Sequence, residues 1–363
     1  MLENQSGSII NIALQKFKKN IWGVLSLSFI LLIILIALFA YFFIPDQSKN
    51  ANYSDLNIKS KLPGFEVTIL KIPLDSVKTS WKDYFFGKLQ DADYYAIKNY
   101  SISKNQLNYT LYNDNQNINI IKTHKITGNV NDFINQNIYS NTFYLGTDKQ
   151  GRDYLSRIVV GARVSMSIGI VAVIISLILG IFFGSIAGYY GGKIDVFVLW
   201  IINIIWSIPT MLLVIAITLS LGKGFWQVFI AVGLTMWVEV ARVVRGQILS
   251  IKEMQYIKAT KALGYNDFRI ITKHILPNIM APIIVISAAN FASAILIESG
   301  LSFLGLGAQP PVPSWGSMIK EYYSDLILGQ PHLALIPGGL IMLITLAFMI
   351  TGNTLRDAFD VKS

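Results

Sequence analysis

The chain has 363 residues, 53% of them hydrophobic and only 14% charged, which is too apolar for a soluble domain of that size. A net charge of +9 would suit nucleic acid, but the basic residues are distributed as a membrane topology requires, so no nucleic-acid partner is expected. The absence of cysteine excludes disulfides, thiol catalysis and thiolate metal sites.

Uncharged runs at Ile21–Phe43, Val164–Gly192, Val196–Gly222, Ile275–Ile297 and Leu333–Leu355 each exceed the roughly 20 residues that cross about 30 Å of hydrocarbon. A sixth, Gly224–Val238, is long enough if Glu239 and Arg242 lie at the membrane edge. The expected division is a cytoplasmic stretch over 1–20, a first span over 21–43, an extracellular domain over 44–145 and a core over 146–363. The core holds spans near 164–190, 196–221, 225–244, 276–298 and 333–355, with a cytoplasmic loop at 245–277. The first run is longer than a signal-peptide core and has no small-x-small site after it, so it reads as a retained anchor.

With six spans, Lys16, Lys18, Lys19, Lys193, the seven basic residues between 242 and 273, Arg356 and Lys362 fall on one side. Lys223 and Lys320 fall in the short loops on the other. The positive-inside rule then places both termini in the cytoplasm of a multi-pass protein of the cell membrane.

Within 44–145, "FEVTILKI" (Phe65–Ile72) and "LNYTLYN" (Leu107–Asn113) alternate apolar and polar residues as half-buried strands do. A small β-rich domain is expected there, against the alternative of a loosely ordered polar loop. "GYYGGKID" (Gly188–Asp195) has the glycines of a phosphate loop but the wrong spacing, no Ser/Thr after the lysine and spans on both flanks, so it reads as a tight turn. Pro209 interrupts the third span, and a kink there is expected in a packed interior position where neighbours satisfy the freed carbonyl. Glu239 lies three residues before Arg242, the spacing of a helical ion pair.

Between spans four and five, Glu253–Leu263 reads as a short helix ended by Gly264 in a left-handed C′ position. Asn266 then caps a second helix, with Tyr265 and Ile270 spaced as a hydrophobic staple, and Pro277 marks the start of span five. Ala259, Ala262 and Leu263 form a small apolar face flanked by Lys258 and Lys261. By spacing alone it fits either a plug for a groove on another protein or a helix lying on anionic headgroups.

Glu298, at the far end of span five, is costly near membrane depth, at roughly 2.5–3.5 kcal/mol for a central position. It is a candidate for the translocation path or outer gate with Ser302, Phe303 and Trp315; the alternative is a carboxylate satisfied at the interface or by the glycine-rich turn. Three prolines and three glycines in Gly305–Gly316 make a bent, re-entrant loop, either a docking mouth or a brace for the last two spans. His124, His274 and His332 are dispersed, and no metal site or catalytic constellation is expected.

Gly264 followed by Leu276-Pro277 resembles the Glu-Ala-Ala loop of permease subunits of ABC importers. "LGTDKQGRDYLSRIVVGARVS" (Leu145–Ser165), "ARVVRGQILSIKE" (Ala241–Glu253), "ESGLSFLGLGAQPPVPSWGSMI" (Glu298–Ile319) and "PHLALIPGG" to "NTLRDAFD" (Pro331–Asp360) are similar to the dipeptide/oligopeptide and nickel permeases, in their second-subunit form. The resemblance implies an all-α polytopic protein with six transmembrane helices, the type I importer permease fold, with the outer domain inserted between helices 1 and 2. It implies a non-enzymatic permease importing dipeptides or oligopeptides, or alternatively nickel chelates or another small solute.

Its implied partners are a homologous second permease, two cytoplasmic ATPase subunits that bind ATP and Mg, an extracellular substrate-binding lipoprotein and membrane lipid; no cofactor is implied in this chain. Carried over, Lys258, Ala259, Thr260, Lys261, Ala262, Leu263 and Gly264, with Arg269, form the coupling element that docks on an ATPase. Lys258 stands where the family has glutamate and Thr260 where it has the second alanine. The excess between Phe65 and Asn141 lies outside the resemblance. Rival classes are a proton-coupled carrier, which needs acidic groups within the spans, and an anchored sensing protein, which needs no cytoplasmic elbow.

Overall fold

A computed structural model describes residues 9–74, 80–103, 105–113, 120–126, 129–222 and 224–359. Lys223, Asp360 and Lys362, which entered the topology and the resemblance, lie outside the described residues.

Helix α1 (Ile9–Lys19) buries Ala13 and Phe17 against Ala358 at the other end of the chain. Asn20 then starts α2 (Ile21–Leu38), its Oδ1 accepting from Gly23 N at 3.1 Å. Phe39 separates α2 from the single turn α3 (Ala40–Phe43), so the first apolar run is two helical pieces.

An antiparallel sheet follows, built from β1 (Phe65–Pro73), β2 (Ala92–Ser103), β3 (Gln106–Leu111), β4 (Ile121–Lys125) and β5 (Ile138–Phe143), in the order β4-β3-β2-β1-β5. The turn α4 (Asp83–Phe86) precedes β2, and α5 (Val130–Asn137) precedes β5. Alternation along β1 decides what each face buries: Val67 and Ile69 meet Ile58, Ala96 and Phe143, while Leu70 joins Ile97, Leu107 and Phe133 of α5. Asp55 ties the preceding segment to the sheet, its Oδ2 accepting from Ala96 N at 2.8 Å.

Helix α6 (Tyr154–Tyr190) starts ten residues before its apolar run because Asp153 caps it, accepting from Ser156 N at 2.9 Å. Next come α7 (Gly192–Ser207) and α8 (Thr210–Leu221), which meet at 93°. This corrects the expected kink in two ways: the span is broken outright, and Pro209 is exposed on the chain's surface. Ile208 is extended, as the residue before proline prefers, and Pro209 instead opens α8, its carbonyl accepting from Leu213 N at 3.1 Å.

Helix α9 (Phe225–Ile251) packs along α6 at close range. Gly180 and Gly184 make room for it: a Cβ on Gly180 would sit 2.4 Å from Val240, and one on Gly184 2.6 Å from the Ala241 carbonyl. The short α10 (Gln255–Ala262) and the turn α11 (Asp267–Arg269) follow. A π turn (Ile270–Ile275) and a 3-10 turn (Leu276–Ile279) lead into α12 (Met280–Phe303), the irregularity centring on Pro277, which cannot donate to the ladder. Helix α13 (Trp315–Tyr322) and α14 (His332–Phe359) complete the fold. Among the described residues, five helices are long and apolar enough to span a membrane, and the bent α7–α8 pair makes up to six.

Candidate coupling elbow and the polar cleft at the helix break

The elbow is built from a two-faced helix and a left-handed turn. Helix α10 turns Ile257 and Thr260 inward and leaves Lys258, Ala259, Lys261, Ala262 and Leu263 exposed. Thr260 spends its hydroxyl on the Ile257 carbonyl at 2.7 Å and lies on the inner face. Lys258 pairs with Glu253 at 3.0 Å; both are well exposed, so the pair adds little stability.

Gly264 has φ +77°, and its N–H donates to the Lys261 carbonyl at 3.1 Å while Tyr265 N donates to Thr260 O at 3.2 Å. Asn266 caps the next turn, accepting from Arg269 N at 2.8 Å, and the Arg269 guanidinium stacks 4.3 Å from the Tyr265 ring centroid.

What lies beneath the elbow joins it to the spans. Ile257 and Ile270 pack in one cluster with Val244, Ile248, Ile275 and Ile283, so α10 rests on α9 and α12. Tyr189, at the end of α6, donates to Asp267 Oδ1 at 2.7 Å, and Lys252 donates to the Gly188 carbonyl at 3.0 Å. Arg245 holds Asp195 with two hydrogen bonds, the Nη2 contact being 2.6 Å. The elbow region is therefore in contact with three long helices, α6, α9 and α12.

A second polar region sits at the α7–α8 break. A cleft of about 310 Å³ is lined by Trp206, Thr210, Thr235, Glu239 and Ser293 among apolar neighbours. The expected Glu239–Arg242 pair does not form among the described residues. Arg242 turns the other way, its guanidinium 3.6 Å from the Trp206 ring centroid and its Nη2 donating to Asn203 at 2.9 Å. Trp206 and Asn203 both lie on α7, so it is the packing of α7 beside α9 that sets Arg242's partners, an effect that i,i+3 spacing does not anticipate. Glu239 is left facing the cleft.

At the opposite end, Glu298, Ser302 and Trp315 are interior while Phe303 is exposed. Ser302 Oγ donates to Glu298 Oε1 at 2.7 Å, and Trp315 Nε1 donates to the Ile158 carbonyl at 3.0 Å. Ser314 and Ser317 form a capping box that starts α13, a signal readable in "SWGS" but hidden by the prolines before it. Sequence reasoning also missed the buried set Asp148, Arg152, Arg157 and Tyr322, whose only local sign is the charge density of "TDKQGRD".

Long apolar helices, a broken span beside a polar cleft and an exposed basic elbow define a polytopic membrane protein. Residues 180–361 match the family described as binding-protein-dependent transport system inner membrane component, and residues 8–63 match the N-terminal TM domain of oligopeptide transport permease C. The chain belongs to this family of inner membrane transport components. The inserted sheet falls between the two matched stretches.

Among similar curated proteins, the glutathione transport system permease protein GsiD of Pectobacterium atrosepticum is 40% identical over 223 residues, covering 61% of this chain and 74% of that protein. The dipeptide permease protein DppC of Bacillus subtilis is 41% identical over 219 residues (60% and 68%), and its oligopeptide permease protein OppC 39% over 223 residues (61% and 73%). Among solved structures, the inward-facing MetNI methionine ABC transporter aligns at a TM-score of 0.47 and 18% identity, over 57% of this chain and 96% of that one.

Proposed function

We infer that this chain is one permease subunit of an ATP-driven importer of short peptides. The curated relatives are named for dipeptides, oligopeptides and glutathione, which favours peptides over nickel chelates as cargo. The observation that carries the reading is the α10 elbow: a detached helix with an exposed Ala259–Ala262–Leu263 face and an inner face packed on the spans. An apolar stripe offered outward on a braced helix suits a groove on a partner protein, here the cytoplasmic ATPase.

In this reading the chain pairs with a homologous permease, two ATPases sit below and an extracellular binding lipoprotein delivers cargo. Lys258 to Gly264 and Arg269 form the coupling contact. Both termini and the elbow are cytoplasmic, supported by Lys16, Lys18 and Lys19 at the start of the first span. The sheet is then extracellular and rests at the outer interface, supported by Trp81 and Phe86, which are exposed beside Tyr84 stacked 5.4 Å from Phe42.

Moving a two-state permease from 1:99 to 99:1 between inward- and outward-open forms takes about 5.5 kcal/mol of differential binding, and the elbow is where the ATPase supplies it. The Glu239 cleft faces the path, because a carboxylate at membrane depth does not face lipid. Glu298, Ser302, Phe303 and Trp315 make the outer gate, with Phe303 as its exposed member.

The test is cross-linking from Ala259→Cys, the only thiol in the chain, during uptake of labelled dipeptide. Capture of an ATPase and loss of uptake on cross-linking are expected. Capture of phospholipid alone, with uptake unaffected, would refute the reading.

A further inference from the structure

A cleft of about 480 Å³ lies between the inserted sheet and the start of α6, within the roughly 300–1,000 Å³ usual for small-molecule sites. One wall is the sheet, with Ile69, Tyr94, Tyr139 and Phe143; the other is the segment after α3 with Tyr53, closed by Asp153 at the head of α6. The walls are rigidly joined. Tyr53 donates its hydroxyl to the Tyr94 carbonyl, and their rings meet edge-on at 4.8 Å. The Asp46 N–H donates to Ser156 Oγ at 3.1 Å, and Ser156 in turn donates to Asp153, so one serine bridges the two aspartates.

The lining is unusual in its charges. Lys71 and Asp91 neutralise each other at 3.0 Å. Asp46 and Asp153 accept only N–H and hydroxyl hydrogen bonds, from Ser48, Tyr53 and Ser156; neither forms an ion pair among the described residues, although the Arg157 charge acts on Asp46 and partly offsets its burial. Lys49 and Lys88, on the same cleft, have no acidic partner among the described residues. Two aspartates and two lysines therefore line one aromatic-walled space with no ion pair to one another among the described residues. Burial pushes both aspartates above the usual carboxylate range, and for Asp153 the neighbouring Asp46 charge adds to the shift.

We propose that this cleft binds a small zwitterion, an amino acid or a short peptide, with its ammonium toward Asp46 and Asp153 and its carboxylate toward Lys49 and Lys88. A bound ammonium relieves the two crowded carboxylates and lies against tyrosine faces, a favourable setting for a cation. A polyamine leaves the lysines opposed by like charge, and a dicarboxylate does the same to the aspartates, so the charge pattern selects against both. The class follows from the cleft's own chemistry; that the ligand is also the transported cargo rests on the importer reading, in which the cleft would retain peptide beside the outer mouth.

The experiment is calorimetric titration of the full chain, purified with its partner subunits in lipid nanodiscs without ATP, using alanyl-alanine, its N-acetylated amide, putrescine and succinate. Alanyl-alanine should bind, and the other three should not. Lys88→Gln, which removes a charge that holds no described contact, should weaken that binding about tenfold or more. Asp46→Asn should weaken it as well, and Lys88→Gln keeps the test readable if Asp46→Asn disturbs the loop. The proposal is overturned by no binding of alanyl-alanine, by equal binding of the capped peptide or putrescine, or by binding that Lys88→Gln leaves unchanged. Binding without dipeptide uptake in cells would keep the cleft and remove the importer reading, and uptake without binding would do the reverse.

Discussion

Arg152 Nε lies 2.6 Å from Asp148 Oδ2, and both side chains are almost completely withdrawn from solvent. The pair ties the loop before α6 to α13: Arg152 Nη2 reaches Glu321 Oε1 at 2.6 Å, and the Tyr322 hydroxyl donates to Asp148 Oδ2 at 2.8 Å. Burial together with the Asp148 charge holds the Tyr322 phenol far above its ordinary value, so it stays a donor.

Removing one member strands the other in a dry site. Arg152→Ala should therefore destabilise the chain by about 3–5 kcal/mol, less whatever Arg157, 3.7 Å from Asp148, recovers. The double variant Asp148→Ala/Arg152→Ala should lose less than the sum of the singles. Thermal unfolding in nanodiscs reads both, and strict additivity would mean the two side chains are not energetically coupled.

Gly264 is free of close neighbours, so only its backbone resists substitution. At φ +77° an L-residue costs about 1–2 kcal/mol, more for a β-branched one. Gly264→Val should tilt α10 and uncouple peptide uptake from ATP hydrolysis while leaving membrane insertion intact, with Gly264→Ala milder. Uptake at the normal rate in cells that carry only the valine variant would contradict this.

Glu239 lines the cleft at the α7–α8 break and forms no ion pair among the described residues. Glu239→Gln should lower uptake of dipeptide severalfold with little change in thermal stability. Glu239→Cys, unique in a chain without cysteine, should react with a charged thiol reagent from the aqueous side in at least one nucleotide state. A thiol inert in every state would place that face against lipid or protein.

Glu298 is fully buried, with one oxygen taken by Ser302 at 2.7 Å. Glu298→Gln keeps that acceptor and should leave uptake near normal, whereas Glu298→Ala leaves the Ser302 hydroxyl with only its long 3.4 Å contact to Ser314 and should lower stability by about 1–3 kcal/mol. If Glu298→Gln abolishes uptake in a stable protein, the carboxylate meets cargo and is more than a brace for the outer turn.

Asp46 and Asp153 both titrate above the ordinary aspartate value of 3.8, chiefly because they are buried. A raised folded-state value means that the folded chain holds those protons more tightly than the unfolded one. Their stabilising contribution is complete below the unfolded value and is lost as pH rises through the folded values. The stability of wild type relative to Asp153→Asn should accordingly fall as pH is raised from about 4, the unfolded end of the window. A difference that stays flat with pH would show that Asp153 titrates normally.

The apolar runs, the strands at Phe65 and Gln106, the Gly264 turn and the Asn266 cap were all legible in the sequence. Each depends on neighbours within a few residues: hydrocarbon length, two-residue alternation, a missing Cβ, a side chain reaching its own backbone. The partners of charged groups were not. Spacing pointed Arg242 at Glu239, yet its partners are Trp206 and Asn203 on the neighbouring α7. Arg152 found Glu321 far along the chain, and Asp46, Lys88 and Asp153 line one cleft from three separate segments. Composition and period are properties of a segment, whereas the partner of a buried charge is chosen by which segments pack together, and only the tertiary structure decides that.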